Sequence, residues 1–251
     1  MEFFAADSVF VRKIVPSPRH TERVGGKRPD SVILHYTGLK THDEAMALLA
    51  GPEGNVSCHY VVDAAGGVTQ LVPETRRAWH AGAAYWKGER DINSASIGIE
   101  IDNGGHDFGL PPFGERQVEA TIALAEDVCA RWQIRPERVL AHSDVAPTRK
   151  RDPGEHFPWA RLAQAGVGHW VEPAPIAGGP LYMHAQEGPP IRALQALLSL
   201  YGYDVELTGV VDKPMEIVVA AFQRHFRPER VDGRVDASTI KTLQALIGAL
   251  N

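Results

Sequence analysis

The chain has 251 residues, 44% hydrophobic and 23% charged, with 26 basic against 31 acidic side chains and a formal net charge of −5. That is ordinary globular composition, enough for one large core or two unequal ones. The lack of a basic excess argues against nucleic acid as a partner, and no apolar run approaches the roughly 18 residues needed to span a bilayer.

The first twenty residues, MEFFAADSVFVRKIVPSPRH, lack a basic stretch followed by an apolar one, so they do not read as a signal peptide. That favours the cytoplasm, a non-standard export route or a chain trimmed of its leader. SVILHY (31–36) is a β-branched apolar run and predicts a buried strand. THDE follows as a capping box, Thr41 with Glu44, opening a helix that stops at Gly51-Pro52. SCHYVVD (57–63), a turn over 64–67 and VTQLV (68–72) predict a hairpin. SIGIEID (96–102) predicts another strand. Apolar residues at 118, 122, 125 and 128–129 give Glu115 to Trp132 one helical face, and RVLAH (138–142) predicts a short strand. This order predicts an α/β fold, a mixed β-sheet flanked by helices.

Residues 171–190 hold five prolines and three glycines without periodicity, which predicts a linker. The expected division is a domain over 1–172, a Pro/Gly-rich linker over 173–188 and a helical domain over 189–251. In the last, PIRALQALLSLYGY, KPMEIVVAAFQRHF and ASTIKTLQALIGAL each carry a helical apolar stripe, predicting a small three-helix bundle. Two cysteines, Cys58 and Cys129, cannot form a disulfide framework. Free thiols are expected, with a single disulfide left open.

HSDVAPTRKRDPG (142–154) concentrates charge between prolines. His35 lies near the end of the first predicted strand, His142 ends a later one, and Asp152 sits in a loop stiffened by Pro147 and Pro153. Two imidazoles and a carboxylate suit a zinc site that keeps one position for water. The chain has 11 histidines, so spacing alone also allows a core His35 and a solvated charged loop. Glu100 shares a strand face with Gly98 and Asp102. It reads either as a general base toward a cleft or as an exposed carboxylate on an edge strand. Lys150, two residues before Asp152, could meet a developing negative charge or lie on the surface.

The stretches VILHYTG, SCHYVVDAAGGVTQLVPE, RAWHAGAAYW, NSASIGIEIDN and HSDVAPTRKRDPG, in that order over roughly 30–160, resemble the zinc-dependent N-acetylmuramoyl-L-alanine amidases of the type 2 amidase family, to which the peptidoglycan recognition proteins are related. The resemblance implies one Zn²⁺ held by His35, His142 and Asp152, with Glu100 activating water and Lys150 steadying an oxyanion. It implies hydrolysis of the amide between N-acetylmuramic acid and L-alanine in peptidoglycan or anhydro-muropeptides. A non-catalytic peptidoglycan-binding protein with structural zinc and a metallopeptidase cutting within the stem peptide are the alternatives. Trp79, His80, Tyr36 and Asn103 are candidates for the substrate cleft. His59 reads as structural, and Cys58 beside it points to the opposite strand face, so the two form no nucleophile–base pair. Residues 191–203, 221–224 and 231–239 resemble the small peptidoglycan-binding domain of cell-wall hydrolases. On this resemblance a periplasmic or envelope location is favoured over the cytoplasm.

Overall fold

A computed structural model describes residues 4–250. The chain opens with two short strands, β1 (Val11–Ile14) and β2 (His20–Glu22), which the sequence did not announce. The apolar run at 31–36 forms β3 (Ser31–Tyr36). The Thr41–Glu44 capping box is made as expected: the Glu44 amide donates to Thr41 Oγ1 and the Thr41 amide to Glu44 Oε2. It starts α1 (His42–Ala50). The predicted hairpin forms over shorter strands, β4 (Tyr60–Val62) and β5 (Val68–Gln70).

β6 (Arg76–Ala78) pairs back with β2, and α2 (Ile92–Ala95) leads into β7 (Ser96–Ile101). The long helix is α3 (Glu115–Trp132). β8 (Val139–Ala141) ends one residue before His142, which opens the one-turn α4 (His142–Val145) rather than closing the strand. α5 is Trp159–Gln164. The C-terminal part comprises β9 (Leu181–Tyr182), α6 (Pro189–Tyr201), α7 (Lys213–Phe226), β10 (Val235–Asp236) and α8 (Ala237–Gly248).

The main sheet runs β1-β5-β4-β7-β3-β8; β4–β5 is antiparallel and its other neighbouring strands run parallel. β7 is therefore interior, which removes the edge-strand reading of Glu100. Alternation then sorts the side chains. Val32, Leu34, Ile97, Ile99 and Ile101 pack on the face covered by α3, through Leu124, Ala125 and Val128. Register places Ile33 opposite Gly98 and Leu140, and His35 opposite Glu100, on the other face. His35 and Glu100 thus stand near the carboxyl ends of adjacent parallel strands, with His142 just past the end of the third. Open α/β sheets place their ligand crevices at such ends.

The predicted linker is only partly irregular. Its Leu181–Tyr182 segment pairs antiparallel with β10. Nor does the helical bundle have a core of its own. Ile33, Trp86, Ile92, Leu140 and Val145 share one continuous buried cluster with Leu194, Leu198, Tyr203, Phe222 and Leu243. Trp86, from the aromatic stretch after His80, is fully buried there. Gly202 makes room for it: a Cβ at that position would lie 2.4 Å from the Trp86 ring. Both cysteines are free, Cys58 buried and Cys129 partly so. No helix among the described residues is long and apolar enough to cross a membrane.

Candidate active site

His35 Nδ1, His142 Nδ1 and Asp152 Oδ2 converge. They lie 2.8 Å apart between the imidazoles, 3.0 Å from His35 to Asp152 and 2.9 Å from His142 to Asp152. All three residues are buried. The two ligand-bearing loops are tied together by the Ser143 amide, which donates to the Asp152 carbonyl at 3.0 Å.

The surrounding hydrogen bonds decide which nitrogens are bare. The Ser96 hydroxyl donates to the Ile92 carbonyl, so its oxygen receives the His80 Nε2 proton at 3.2 Å. His80 Nδ1 is then an acceptor, and it takes the proton of His35 Nε2 at 3.0 Å. Burial drives the pKa of His80 well below that of a free imidazole, and that of His35 down to about 4, with the nearby His142 adding to the effect on His35. Both rings are neutral, and His35 Nδ1 keeps its lone pair. The Ala81 carbonyl accepts from His142 Nε2 at 3.1 Å, which leaves Nδ1 as the nitrogen that His142 turns toward His35 and Asp152.

Two imidazole lone pairs and one carboxylate oxygen therefore face a single point, a mutually repulsive arrangement that a cation neutralises. The set matches the nitrogen and oxygen preferences of zinc, and the three residues qualify as a possible metal-holding group. Outer partners that fix tautomer and ring orientation, as His80, Ser96 and Ala81 do here, are usual around metal-ligating histidines.

Glu100 stands beside this group, its Oε1 4.0 Å from His35 Nδ1. Its Oε2 is buried without a hydrogen-bond partner. Burial and the adjacent Asp152 raise its pKa well above the usual carboxyl value, and the Lys150 charge opposes that shift. Lys150, Tyr36 and the three candidate ligands line the same cleft, of about 400 Å³. The Tyr36 hydroxyl meets His106 Nδ1 at 3.0 Å.

Of the remaining candidates, only His80 reaches this cleft. His80 forms part of the cleft floor, but its two ring nitrogens are engaged by His35 and Ser96. Gly98 makes space for that ring, since a Cβ there would lie 2.5 Å from it. Trp79 and Asn103 are not among the cleft-lining residues. Asn103 is fixed by the Gly105 amide and the Pro111 carbonyl beside a neighbouring groove. His59 is fully buried, accepting from the Gly98 amide and donating to the Arg76 carbonyl, as a structural residue would. Sequence reasoning missed Ser96 and Asn93. Asn93 Oδ1 accepts from the His80 and Ala81 amides and so fixes the loop behind both imidazoles. Both fell within the quoted NSASIGIEIDN stretch, but nothing in their spacing marked them.

Fold and donor set together define a mixed α/β protein with a buried His–His–Asp group beside a free carboxylate. The model of the N-acetylmuramoyl-L-alanine amidase family matches residues 25–155, and the chain belongs to that family. A peptidoglycan binding domain model matches residues 187–243. N-acetylmuramoyl-L-alanine amidase AmiD of Escherichia coli (strain K12) is 40% identical over 229 residues, 86% of this chain and 81% of the relative. The 1,6-anhydro-N-acetylmuramyl-L-alanine amidase AmpD of Enterobacter cloacae is 32% identical over 165 residues, 59% of this chain and 86% of the relative. A solved complex of the E. coli AmiD with the substrate anhydro-N-acetylmuramic acid-L-Ala-D-γ-Glu-L-Lys superposes with a TM-score of 0.76 at 37% identity, covering 92% of this chain and 93% of that one. A complex of Pseudomonas aeruginosa AMPDH3 with anhydromuramic pentapeptide gives 0.71 at 31% identity, covering 92% and 96%.

Proposed function

We propose that this chain hydrolyses the amide between N-acetylmuramic acid and L-alanine in peptidoglycan or anhydro-muropeptides, with one zinc ion held by His35, His142 and Asp152. The observation that carries the reading is the set of three bare donors within 3.0 Å of one another, with the unpartnered Glu100 Oε2 in the same cleft. The substrate complex of the E. coli relative supports the choice of substrate.

The ion supplies Lewis acidity that brings the pKa of a water toward neutrality. Glu100 takes the proton of the attacking water. It then passes that proton to the departing amine of L-alanine as the tetrahedral carbon collapses. Lys150, which lines the same cleft, supplies an ammonium to offset the charge growing on the carbonyl oxygen. Tyr36 borders the cleft beside the reacting group, its hydroxyl held by His106.

Incubation of a purified anhydromuramyl tripeptide with the zinc-loaded protein, followed by mass spectrometry, tests the assignment. Anhydro-N-acetylmuramic acid and a tripeptide with a free L-alanine amino end are the expected products. Cleavage within the stem peptide would contradict it. In this reading the protein works in the periplasm, next to its polymer, and a tagged full-length chain should fractionate with periplasmic markers rather than cytoplasmic ones.

A further inference from the structure

The carboxylate of Asp144 is two residues from His142, at the third position of the one-turn α4. Its side chain has no solvent exposure. One oxygen, Oδ2, accepts from the Ala141 amide at 2.8 Å, which closes the turn on itself. The other two donors come from the C-terminal helical part. His225 Nδ1 on α7 reaches Oδ2 at 2.7 Å, and the Tyr203 hydroxyl, just after α6, reaches Oδ1 at 2.6 Å. A buried carboxylate with three donors is strongly held, and removing one of them leaves it under-satisfied in a medium where that is costly.

His225 is itself gripped on both faces. Its ring stacks on Trp159 at 3.6 Å and on Phe226 at 3.7 Å. Trp159 opens α5, immediately after the loop that carries Asp152. One imidazole on α7 therefore touches both the His142 turn and the far end of the Asp152 loop. The neighbouring Arg224 adds a second strut. Its guanidinium lies 3.8 Å from Glu155, Glu155 meets His106 at 3.0 Å, and His106 meets the Tyr36 hydroxyl at 3.0 Å at the cleft.

We infer that the C-terminal helical domain is a positioning element of the catalytic centre: His225 and Tyr203, acting through Asp144, fix the turn that aims His142 at the metal position. The shared core agrees with this. A unit tethered only to grip the cell wall needs no buried polar seam against the ligand turn, whereas Trp86 and Val145 are sealed under the helices beside this seam. The inference rests on the reading of His35, His142 and Asp152 as metal ligands.

The test uses the full chain and reads metal rather than turnover. Zinc affinity is measured by chelator competition, and the cobalt-substituted protein is examined by visible absorption, with thermal unfolding as a check on the fold. His225→Ala should bind zinc on the order of 10-fold or more weakly, the scale seen when outer partners of metal ligands are lost, and should show an altered cobalt spectrum. His225→Asn, which keeps a donor near the Nδ1 position, should recover most of the loss. Tyr203→Phe keeps the packed ring and removes only the hydroxyl, so it decides the question if His225→Ala does not fold. Thr242→Val, on α8 away from the seam, should leave affinity and spectrum unchanged. Wild-type affinity and an unchanged cobalt spectrum in folded His225→Ala and Tyr203→Phe would overturn the inference. A wild-type chain that binds no metal would instead overturn the ligand reading, and this inference with it.

Discussion

His35 Nε2 lies 3.0 Å from His80 Nδ1, and this contact turns the opposite nitrogen of His35 toward His142 and Asp152. The proton on that contact belongs to His35, because His80 spends its own on Ser96. The hydrogen-bond chain from His35 through His80 and Ser96 to the Ile92 carbonyl thus sets the tautomer of one candidate ligand.

His80 is accordingly expected to govern metal retention rather than substrate contact. His80→Ala should weaken zinc binding by about 10- to 100-fold, with KM for an anhydro-muropeptide little changed once the metal site is saturated. Chelator competition and steady-state kinetics at excess zinc measure the two effects. An unchanged zinc affinity with a raised KM would place His80 in substrate binding instead.

Glu100 and Lys150 should fail differently from the ligands. Glu100→Gln removes the proton acceptor and should lower kcat by about 10²- to 10⁴-fold. Lys150→Ala removes charge from the oxyanion side and should cost on the order of 100-fold or more. Both variants should retain one zinc per chain, since neither supplies a donor atom to the group at His35, His142 and Asp152. Metal analysis beside turnover tests this; loss of metal in Lys150→Ala would assign that residue to the architecture of the site.

His59 predicts a pH dependence of stability. Burial, with the charge of Arg23 nearby, lowers its pKa to about 3. In the unfolded chain a histidine takes up its proton near 6.5. Between those values the unfolded state binds more protons, so stability is present above the unfolded pKa and falls as pH drops through this window. The contribution of one such group between pH 7 and pH 5 is about 2 kcal/mol. Urea unfolding at the two pH values should show a difference smaller by about that amount in His59→Gln than in the wild type. Equal differences would mean that His59 is hydrated or charged in the folded state.

Much of the site was legible because chemistry that must sit at strand ends follows apolar runs that are easy to read. VILHY and SIGIEI form two parallel neighbours, and alternation puts His35 on the face opposite Val32 and Leu34 and Glu100 on the face opposite Ile97, Ile99 and Ile101. The strands β2, β6 and β9 were illegible for the opposite reason. They are two or three residues long, polar or mixed, and exist because a partner elsewhere in the chain supplies their hydrogen bonds. Gly98 was legible only as a same-face neighbour of Glu100, whereas the space it leaves is filled by the His80 ring, a long-range fit that no local pattern encodes. The helical stripes of the C-terminal part were plain, but a stripe does not say what it packs on. Here part of it covers Ile33 and Leu140 of the sheet that carries the ligands.

The central claim is that His35, His142 and Asp152 form one zinc site on which amide cleavage depends. Stripping the purified protein with a chelator and titrating zinc back while following cleavage of an anhydromuramyl tripeptide tests it most directly. The account predicts no turnover in the stripped protein and full recovery at one equivalent of zinc, with no recovery in Asp152→Ala. Wild-type turnover in the stripped protein, or equal zinc recovery in Asp152→Ala, would contradict it.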